Sequence, residues 1–307
     1  MTKISNYDEF NYDYRKYWKG RDYEDRAEKI ILERYLRNYS GKFFLDIGGS
    51  FGRNLPAYGF INETPIILDY SLETLRKNKK NILNKHPKTR LIAANAYRMP
   101  LKGNCLNGSL MVRTLHHIEE QDRLFKEINR VTKNNGLFIL EYANKLHLKA
   151  RIKWLLRLDF KNFSTQPYQQ PTKGYFEGVK DGKQAIFLNY HPRNITKLLQ
   201  KNNFKILKST NCSFFRINLF KKIVPIPILI TLENFSQKFL SWTNIAPSIV
   251  LKSEKIGVEK NETFETFEDI LCCPGCKEDL VFSGKEAKCK KCKKTFKKKD
   301  GIWDFRM

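Results

Sequence analysis

The stretch Phe43-Phe44-Leu45-Asp46-Ile47-Gly48-Gly49-Ser50-Phe51-Gly52 decides the fold of this chain. A short apolar run, typical of a buried strand, leads directly into a glycine-rich turn. Because glycine has no Cβ, the turn can approach a ligand closely, and a following helix offers its N-terminal N–H groups. The turn lacks the Gly-Lys-Ser/Thr of a phosphate loop, and Ser50 replaces a glycine of the dinucleotide fingerprint. Asp46, ahead of the turn, favours a cationic or amino-bearing ligand.

Short apolar runs alternate with helical patterns on both sides of this stretch. The runs are Phe43–Ile47, Ile66–Leu68, Leu91–Ala94, Leu110–Val112 and Leu137–Leu140, and the helix candidates between them are Leu72–Leu83 and Asp122–Thr132. Strands that alternate with helices indicate βαβ units and a parallel sheet. The sequence therefore predicts an α/β protein.

Four motifs resemble those of class I S-adenosylmethionine-dependent methyltransferases. They are LDIGGSFG (45–52), IILDYSLETL (66–75), ANAYRMPL (94–101) and GSLMVRTLHHI (108–118). The Leu-His-His of the last motif is similar to the branch that contains ubiquinone and menaquinone biosynthesis methyltransferases. The resemblance implies a Rossmann-like, mostly parallel seven-stranded sheet with helices on both faces. It also implies S-adenosylmethionine as the cofactor.

The same resemblance assigns a cofactor site. The residues expected to bind the cofactor are Asp46, Gly48, Gly49, Gly52, Asp69, Tyr70, Asn95, Ala96 and Arg113. Asp69 ends a strand, as does the acid that binds both ribose hydroxyls in that family. Asn95 replaces the family's usual Asp, and its amide oxygen can still accept a hydrogen bond from the adenine amino group. Departures at Ser50, Asn95 and Asn107 leave a non-catalytic S-adenosylmethionine-binding protein as an alternative.

The methyl acceptor is less well specified by the sequence. Methyl transfer from a sulfonium is an in-line displacement in which the cofactor supplies the electrophile, so the protein mainly binds, orients and excludes water. His116 and His117 are candidate general bases, with a purely structural role as the alternative. The Asn/Asp-Pro-Pro-aromatic run of nucleobase amino methylation is missing after the fourth strand. The Leu-His-His motif and the apolar stretch 223–250 lead us to expect an oxygen or carbon nucleophile on a small molecule or lipid precursor.

Two Cys-x-x-Cys pairs stand near the C-terminus, with twelve residues between them. Cys273, Cys276, Cys289 and Cys292 supply four thiolates at a spacing that predicts a closed, structural zinc site. Cys272, beside the first pair, is expected to be a packing residue. The surrounding segment resembles the small zinc-ribbon proteins that bind and activate tRNA, rRNA and protein methyltransferases. The resemblance implies that the ribbon packs in cis on the methyltransferase domain.

The formal net charge is +25, from 57 basic and 32 acidic residues. Such a charge favours RNA or anionic lipid as a partner, although an AT-rich genome would also enrich lysine. An RNA or protein methyltransferase that uses the basic ribbon for acceptor binding is therefore a second hypothesis. The apolar run Ile223–Leu232 is too short to span a bilayer. We interpret it as a buried segment leading into a helix, with peripheral membrane contact as the alternative.

The composition changes along the chain predict five segments. They are an N-terminal helical cap (1–40), the methyltransferase domain (41–222) with a substrate-side insert (145–189), an apolar helical extension (223–256), a linker (257–269) and the zinc ribbon (270–307). The N-terminal stretch has acidic residues and no apolar core, so it does not resemble a signal peptide. The sequence therefore predicts a cytoplasmic protein.

Overall fold

The computed structural model describes Asp8 and residues 14–170, 186–258 and 261–307. Its helices are α1 (Asp22–Leu36), α2 (Leu55–Tyr58), α3 (Leu72–Lys85), α4 (Gln121–Val131), α5 (Leu148–Leu156), α6 (Pro192–Lys201), α7 (Asn218–Ile223) and α8 (Ile226–Phe239). Its first nine strands are β1 (Gly41–Ile47), β2 (Asn62–Asp69), β3 (Arg90–Ala93), β4 (Leu106–Met111), β5 (Thr132–Ala143), β6 (Tyr168–Gln169), β7 (Leu188–Asn189), β8 (Phe204–Cys212) and β9 (Ser248–Lys255). The ribbon adds β10 (Leu280–Ser283), β11 (Glu286–Cys289), β12 (Thr295–Lys299) and β13 (Ile302–Asp304).

The central sheet confirms the predicted α/β, Rossmann-like architecture. Strands β1 to β5 run parallel in the order β3-β2-β1-β4-β5, and β9 and then β8 follow β5 with antiparallel pairing. Alternate residues of β1 enter two different cores, with Phe43 and Leu45 on one face and Phe44 on the other. Such burial on both faces is what helices covering a parallel sheet produce.

The predicted number of seven strands is wrong, because the sheet has eleven. Strand β13 pairs in parallel with β3, the last of the parallel strands β1 to β5 on that side, so β10 to β13 extend the sheet beyond it. An edge strand leaves backbone N–H and C=O groups unpaired, and pairing with the ribbon satisfies those of β3. The ribbon side chains Trp303 and Phe305 belong to the same hydrophobic core as Phe43.

The predicted helical extension, 223–256, is only partly helical. Helix α8 ends at Phe239, and Ser248–Lys255 form β9 between β5 and β8. The segment Ile249–Leu251 is apolar and buried, and such a run is compatible with either a buried helix or a central strand. Pairing with two distant strands decides between them.

Three predicted segments fall partly outside the described residues. The substrate-side insert (145–189) includes residues 171–185, the helical cap includes residues 1–7 and 9–13, and the linker includes residues 259 and 260. Within the described part of the cap, Tyr14–Trp18 form a 3-10 helix and α1 follows. The predicted linker is without a regular helix or strand in its described part until Glu268.

Candidate functional site

A pocket lies at the carboxyl ends of β1, β2, β3 and β4, where open parallel sheets bind their ligands. Seven of the residues predicted from sequence line it: Gly48, Asp69, Tyr70, Asn95, Ala96, Arg113 and His117. Asp46, Gly49, Gly52 and His116 are not among its lining residues in the described chain. The lining also includes Tyr14, Ser50, Thr74, Tyr97, Thr114 and Ile118, which were not predicted as site residues.

Three positions of the glycine-rich turn, Gly48, Ser50 and Gly52, have positive φ. Gly48 has φ +74°, and a Cβ there would lie 2.5 Å from the Thr114 hydroxyl oxygen. The Thr114 side chain, which lines the pocket, therefore occupies the space that a side chain at position 48 would need. Ser50 has φ 48°, a left-handed conformation that costs a non-glycine residue roughly 1 kcal/mol. Its backbone N–H donates to Asp69 Oδ2 at 2.9 Å, which helps to hold this conformation.

Asp69 is oriented from both sides at the end of β2. Its Oδ2 accepts the Ser50 N–H, and its Oδ1 accepts the Ser71 N–H at 2.9 Å. Burial raises the pKa of Asp69 to about 6, and the nearby Asp8 adds to that rise. Each carboxylate oxygen has two acceptor sites, so this group can accept two further donors while it keeps both backbone bonds. A pair of ribose hydroxyls matches that capacity.

Asp46 lies beneath the turn and supports it. The side chain is 1% exposed, and the Tyr58 hydroxyl donates to its Oδ2 at 3.0 Å. A Cβ on Gly49 would come within 2.8 Å of Asp46 Cγ, so the turn rests directly on this carboxyl. Burial raises the pKa of Asp46 to about 7. Gly52 is likewise a packing glycine, since a Cβ there would meet Ile82 at 3.2 Å.

Arg113 joins the end of β4 to the N-terminal helix. Its Nε donates to Glu28 at 2.6 Å, its Nη2 also pairs with Glu28, and its backbone N–H donates to Glu141 at 2.9 Å. Arg53 adds a second guanidinium to Glu28 at 2.6 Å. The opposite charges satisfy each other inside the protein, as buried ions require. The Arg113 guanidinium therefore anchors α1 across the pocket.

The N-terminal aromatic residues cover one side of the pocket. Tyr14 lines it and stacks on Tyr17, with ring centroids 5.3 Å apart. Arg53 lies over the Trp18 ring at 3.8 Å from its centroid. The only signal of this role in the sequence is the density of aromatic residues before α1. Their placement over the pocket depends on the ion pairs between α1 and the turn.

Asn95 shapes the loop after β3. Its Oδ1 accepts the N–H of Tyr97 at 2.9 Å, a local bond that an aspartate could also make. An amide oxygen has two acceptor sites, so one remains for a ligand donor. Asn107, the other departure from the family, accepts the N–H groups of Lys42 and Phe43 at 3.1 and 3.2 Å. It aligns the start of β1 far from the pocket.

The two adjacent histidines have different positions. His117 lines the pocket, and its Nδ1 lies 2.9 Å from the Ile186 carbonyl oxygen. A carbonyl only accepts, so Nδ1 carries the proton and Nε2 the lone pair. His116 is buried against Phe187, with ring centroids 4.3 Å apart. Burial lowers the pKa of His117 to about 4 and that of His116 well below its usual value, so both rings are neutral at pH 7.

The four predicted metal ligands meet in the ribbon. The sulfur atoms of Cys273, Cys276, Cys289 and Cys292 lie within 4.8 Å of one another. The Cys273–Cys292 and Cys276–Cys289 sulfur pairs are 3.6 and 3.4 Å apart. Zinc–sulfur bonds of about 2.3 Å in a tetrahedron place sulfurs about 3.8 Å apart, so this donor set fits zinc. Cys272 is outside the group and bridges to Asp279 through its backbone.

The ribbon also contacts the pocket's own loops. Arg306 donates from Nη1 to Asp8 at 2.9 Å and to the Tyr70 carbonyl at 3.4 Å. Asp8 in turn accepts bonds from the Ser71 hydroxyl and the Glu73 N–H. Farther from the pocket, Lys277, which follows the first Cys-x-x-Cys pair, forms an ion pair with Glu127 of α4 at 2.7 Å.

Comparisons with known proteins agree with this geometry. A family model described as a methyltransferase domain matches residues 45–140. An uncharacterised protein of Methanocaldococcus jannaschii, MJ1252, is 29% identical over 204 residues, which cover 66% of this chain and 75% of the relative. The name of this relative states no activity.

Solved structures share the fold at low sequence identity. A methyltransferase from Listeria monocytogenes described as S-adenosylmethionine dependent aligns with a TM-score of 0.50 and 16% identity, over 75% of this chain and 99% of its own. A chain of the complex between the Haloferax volcanii Trm112 methyltransferase activator and its proposed methyltransferase aligns with a TM-score of 0.55 and 10% identity, over 84% of this chain and 100% of its own. The chain thus contains a methyltransferase domain with the fold of S-adenosylmethionine-dependent methyltransferases.

Proposed function

We propose that this methyltransferase transfers the methyl group of S-adenosylmethionine to an oxygen or carbon nucleophile on a small molecule or lipid precursor. The observation that carries the proposal is Asp69, held at the end of β2 by the N–H groups of Ser50 and Ser71. Its remaining acceptor sites face a pocket bounded by a glycine turn that admits no Cβ at Gly48. A ligand with vicinal hydroxyls beside a cationic group suits that combination.

In this proposal, different residues of the pocket contact different parts of the cofactor. Asp69 accepts the ribose hydroxyls, the Gly48 turn lies against the methionine part, and Tyr70, Asn95 and Ala96 surround the adenine. The bound cofactor supplies an electrophilic methyl group. The protein contributes orientation and the exclusion of water, for which the aromatic residues above the pocket are suited.

His117 is the histidine suited to accept a proton from the methyl acceptor. It lines the pocket, whereas His116 is buried behind it against Phe187. With Nδ1 bonded to the Ile186 carbonyl, Nε2 is the basic nitrogen. The low pKa of the ring makes it a weak base, and proton transfer is efficient only when the acceptor is itself acidic. Enolic hydroxyl groups and carbon acids flanked by carbonyl groups come closer to that condition than alcohols or simple phenols do.

A structural zinc ion in the ribbon is part of the proposal. Four cysteine ligands leave no open coordination position, so the metal would stabilise β10 to β13 and take no part in methyl transfer. The resemblance to activator proteins supports a role in stabilising the methyltransferase domain in cis.

Calorimetric titration with S-adenosylmethionine tests the cofactor site. Asp69→Ala should weaken binding at least about tenfold, because two charge-assisted hydrogen bonds are lost. Asp122→Ala is the matched control, since Asp122 is an acid on the surface of α4 that pairs with Lys201 at 3.0 Å away from the pocket. Unchanged affinity in Asp69→Ala, or no binding by the wild type, would contradict the proposal.

Transfer of a radiolabelled methyl group into fractionated cell extract identifies the acceptor class. Label in the small-molecule or lipid fraction is the expected result. Label in RNA would instead support the second hypothesis, which is favoured by the exposed ribbon lysines Lys285, Lys288, Lys293, Lys294 and Lys297. In that case RNA affinity should fall steeply with salt, because phosphate contacts release counterions.

A further inference from the structure

Helix α8 turns polar side chains inward and large apolar side chains outward. Glu233, Ser236 and Gln237 are buried against the protein. The outward stripe is Ile228, Leu232, Phe235 and Phe239, which are 52%, 44%, 60% and 59% exposed. Their spacing of four, three and four residues places them on one side of a helix. The interpretation of Ile223–Leu232 as a buried segment is therefore wrong for most of its residues.

Buried hydrogen bonds hold α8 in this orientation. The Glu233 carboxylate accepts the N–H groups of Ser213 at 2.7 Å and Phe214 at 2.9 Å, and also the Tyr23 hydroxyl. Gln237 Nε2 donates to the carbonyl of Ala27 in α1 at 3.0 Å. Turning the helix to bury its apolar stripe would leave these polar groups without partners, at a cost of about 1–3 kcal/mol each. The outward apolar stripe is thus a fixed feature of the fold.

Helix α5 carries a second outward apolar stripe. Leu148, Ile152 and Leu155 are 50%, 48% and 52% exposed at helical spacing, and Leu156 is 82% exposed. The buried face of this helix is small, with only Ala150 and Trp154. Isolated apolar residues on a surface are ordinary, whereas exposed apolar stripes on two helices are typical of an interaction site.

Both stripes lie at the end of the sheet that holds the pocket, where the parallel strands terminate. Helix α5 follows the carboxyl end of β5, and α7 and α8 follow the carboxyl end of β8. Strand β9 is antiparallel to both β5 and β8, so β5 and β8 run in the same direction. Arg151 of α5 donates to the carbonyl groups of Thr243 and Asn244 at 3.2 and 2.9 Å, which ties α5 to the turn after α8. Trp242 in this turn is 82% exposed. The apolar stripes and Trp242 therefore lie at the same end of the sheet as the pocket.

The charge around these stripes is almost entirely positive. The exposed basic residues are Lys149, Lys153, Arg157, Lys161, Lys222 and Lys238. Residues 145–163 and 213–245 contain two carboxylates, and of these Glu233 is buried and Asp159 accepts from Asn162 at 2.6 Å. Apolar stripes flanked by lysine and arginine are the pattern of helices that lie in the surface of an anionic bilayer. No helix in the described residues is long and apolar enough to cross one.

We propose that α5, α7, α8 and Trp242 form a docking face for an anionic lipid bilayer. The apolar side chains would enter the boundary between headgroups and acyl chains, and the basic residues would contact lipid phosphates. Docking in this orientation places the pocket opening at the membrane surface. The acceptor is then a lipid or a molecule dissolved in the bilayer, and this last step rests on the proposed function.

Vesicle sedimentation tests the docking face with the full chain and without cofactor. Wild-type protein should sediment with vesicles of phosphatidylcholine containing about 30 mol % phosphatidylglycerol and much less with phosphatidylcholine alone. Binding should fall as salt rises, because the electrostatic attraction is screened. Failure of the wild type to bind anionic vesicles in low salt would overturn the proposal.

Two variants test whether vesicle binding depends on the docking face or on any exposed apolar residue. Phe235→Ser combined with Phe239→Ser should lower partitioning at least about tenfold. Phe60→Ser is the matched control: Phe60 is 77% exposed but precedes β2, at the amino-terminal end of the parallel strands, opposite the end that holds the pocket. The control should sediment like the wild type. Equal losses in both variants, or no loss in the double variant, would contradict the assignment of the surface.

Cofactor affinity and oligomeric state are measured on the same double variant. Calorimetric titration with S-adenosylmethionine should show wild-type affinity, so that a failure of the cofactor proposal is seen independently of vesicle binding. Analytical ultracentrifugation should show the same mass for the wild type and the double variant. A wild-type dimer that the double variant converts to a monomer, without vesicle binding, would mean that a second copy covers the face and would overturn the bilayer proposal.

Discussion

At the scale of single residues, the glycine turn shows how a departure from a family pattern is accommodated. Ser50 occupies a left-handed conformation that glycine adopts without strain, and a hydrogen bond to Asp69 holds it there. The same carboxylate is the group proposed to bind the ribose. Asp46, which carries much of the resemblance in the sequence, lies behind the turn and supports it. A motif therefore identifies a site without saying which of its members touch the ligand.

The buried carboxyl of Asp46 predicts an unusual pH dependence of stability. Its pKa of about 7 in the folded chain exceeds the usual 3.8, so its stabilising contribution is complete below pH 3.8 and is lost as pH rises through 7. Asp46→Asn should therefore raise the free energy of unfolding at pH 8 by on the order of 2 kcal/mol, with little change at pH 4. Urea denaturation at the two pH values measures the difference.

A matched substitution separates this effect from general acid sensitivity. The pKa of Asp122 is lowered to about 2, with hydrogen bonds from Asn202 and Lys201 as the main causes. Its contribution is present above pH 3.8 and lost toward pH 2, so the effect of Asp122→Asn should be the same at pH 5 and pH 8. If the two variants shift alike across that range, the raised pKa of Asp46 is refuted.

At the scale of elements, the proposed zinc site would stabilise the ribbon, and the ribbon covers one edge of the sheet. Strand β13 pairs with β3, and the N–H of Phe305 donates to the Ala93 carbonyl at 2.8 Å. Without its metal a ribbon of this size has too small a core to fold firmly. Loss of metal should therefore expose the edge strand β3.

Cys289→Ser tests that dependence. Metal analysis should find about one zinc per wild-type chain and none in this variant, because a serine hydroxyl does not replace a thiolate ligand. Limited proteolysis should then cleave within residues 270–307 first. Cys272→Ser is the control and should retain the metal, since Cys272 is outside the ligand group. Retention of zinc by Cys289→Ser would contradict the four-cysteine assignment.

At the scale of the whole molecule, the two ends of the chain meet beside the pocket. Arg306 of the ribbon bonds to Asp8 and to the Tyr70 carbonyl, and Asp8 bonds to Ser71. The loop of Asp69 to Ser71 is thereby braced by residues close to both termini. The ribbon therefore has a physical route by which it can influence cofactor affinity.

Arg306→Ala should weaken S-adenosylmethionine binding by about three- to tenfold, because the brace on the Asp69 loop is lost while the pocket itself is intact. Calorimetry measures the affinity, and zinc content should remain unchanged. Lys299→Ala provides the comparison, since Lys299 pairs with Asp304 at 2.9 Å and has no bond to Asp8 or Tyr70 among those described. Equal affinities in Arg306→Ala and the wild type would exclude this route.

Features with short spacing in the chain could be predicted from sequence alone. The strand-turn-helix around Gly48, the acid that ends β2 and the two cysteine pairs are set by neighbouring residues, whose side-chain periodicity and backbone freedom act locally. For that reason the α/β class could be predicted, and the structure brings the four cysteines together as expected.

Features that depend on distant partners were decided only by the tertiary structure. The apolar run at Ile249–Leu251 is a central strand because β5 and β8 lie on either side of it. The ribbon adds four strands because the edge of β3 is available to β13. Helix α8 faces its apolar side outward because Glu233 finds buried donors in Ser213, Phe214 and Tyr23. The hydrophobicity of these segments determines that they fold into regular structure. Hydrogen bonds to distant residues determine how they pair and which face they turn to the core.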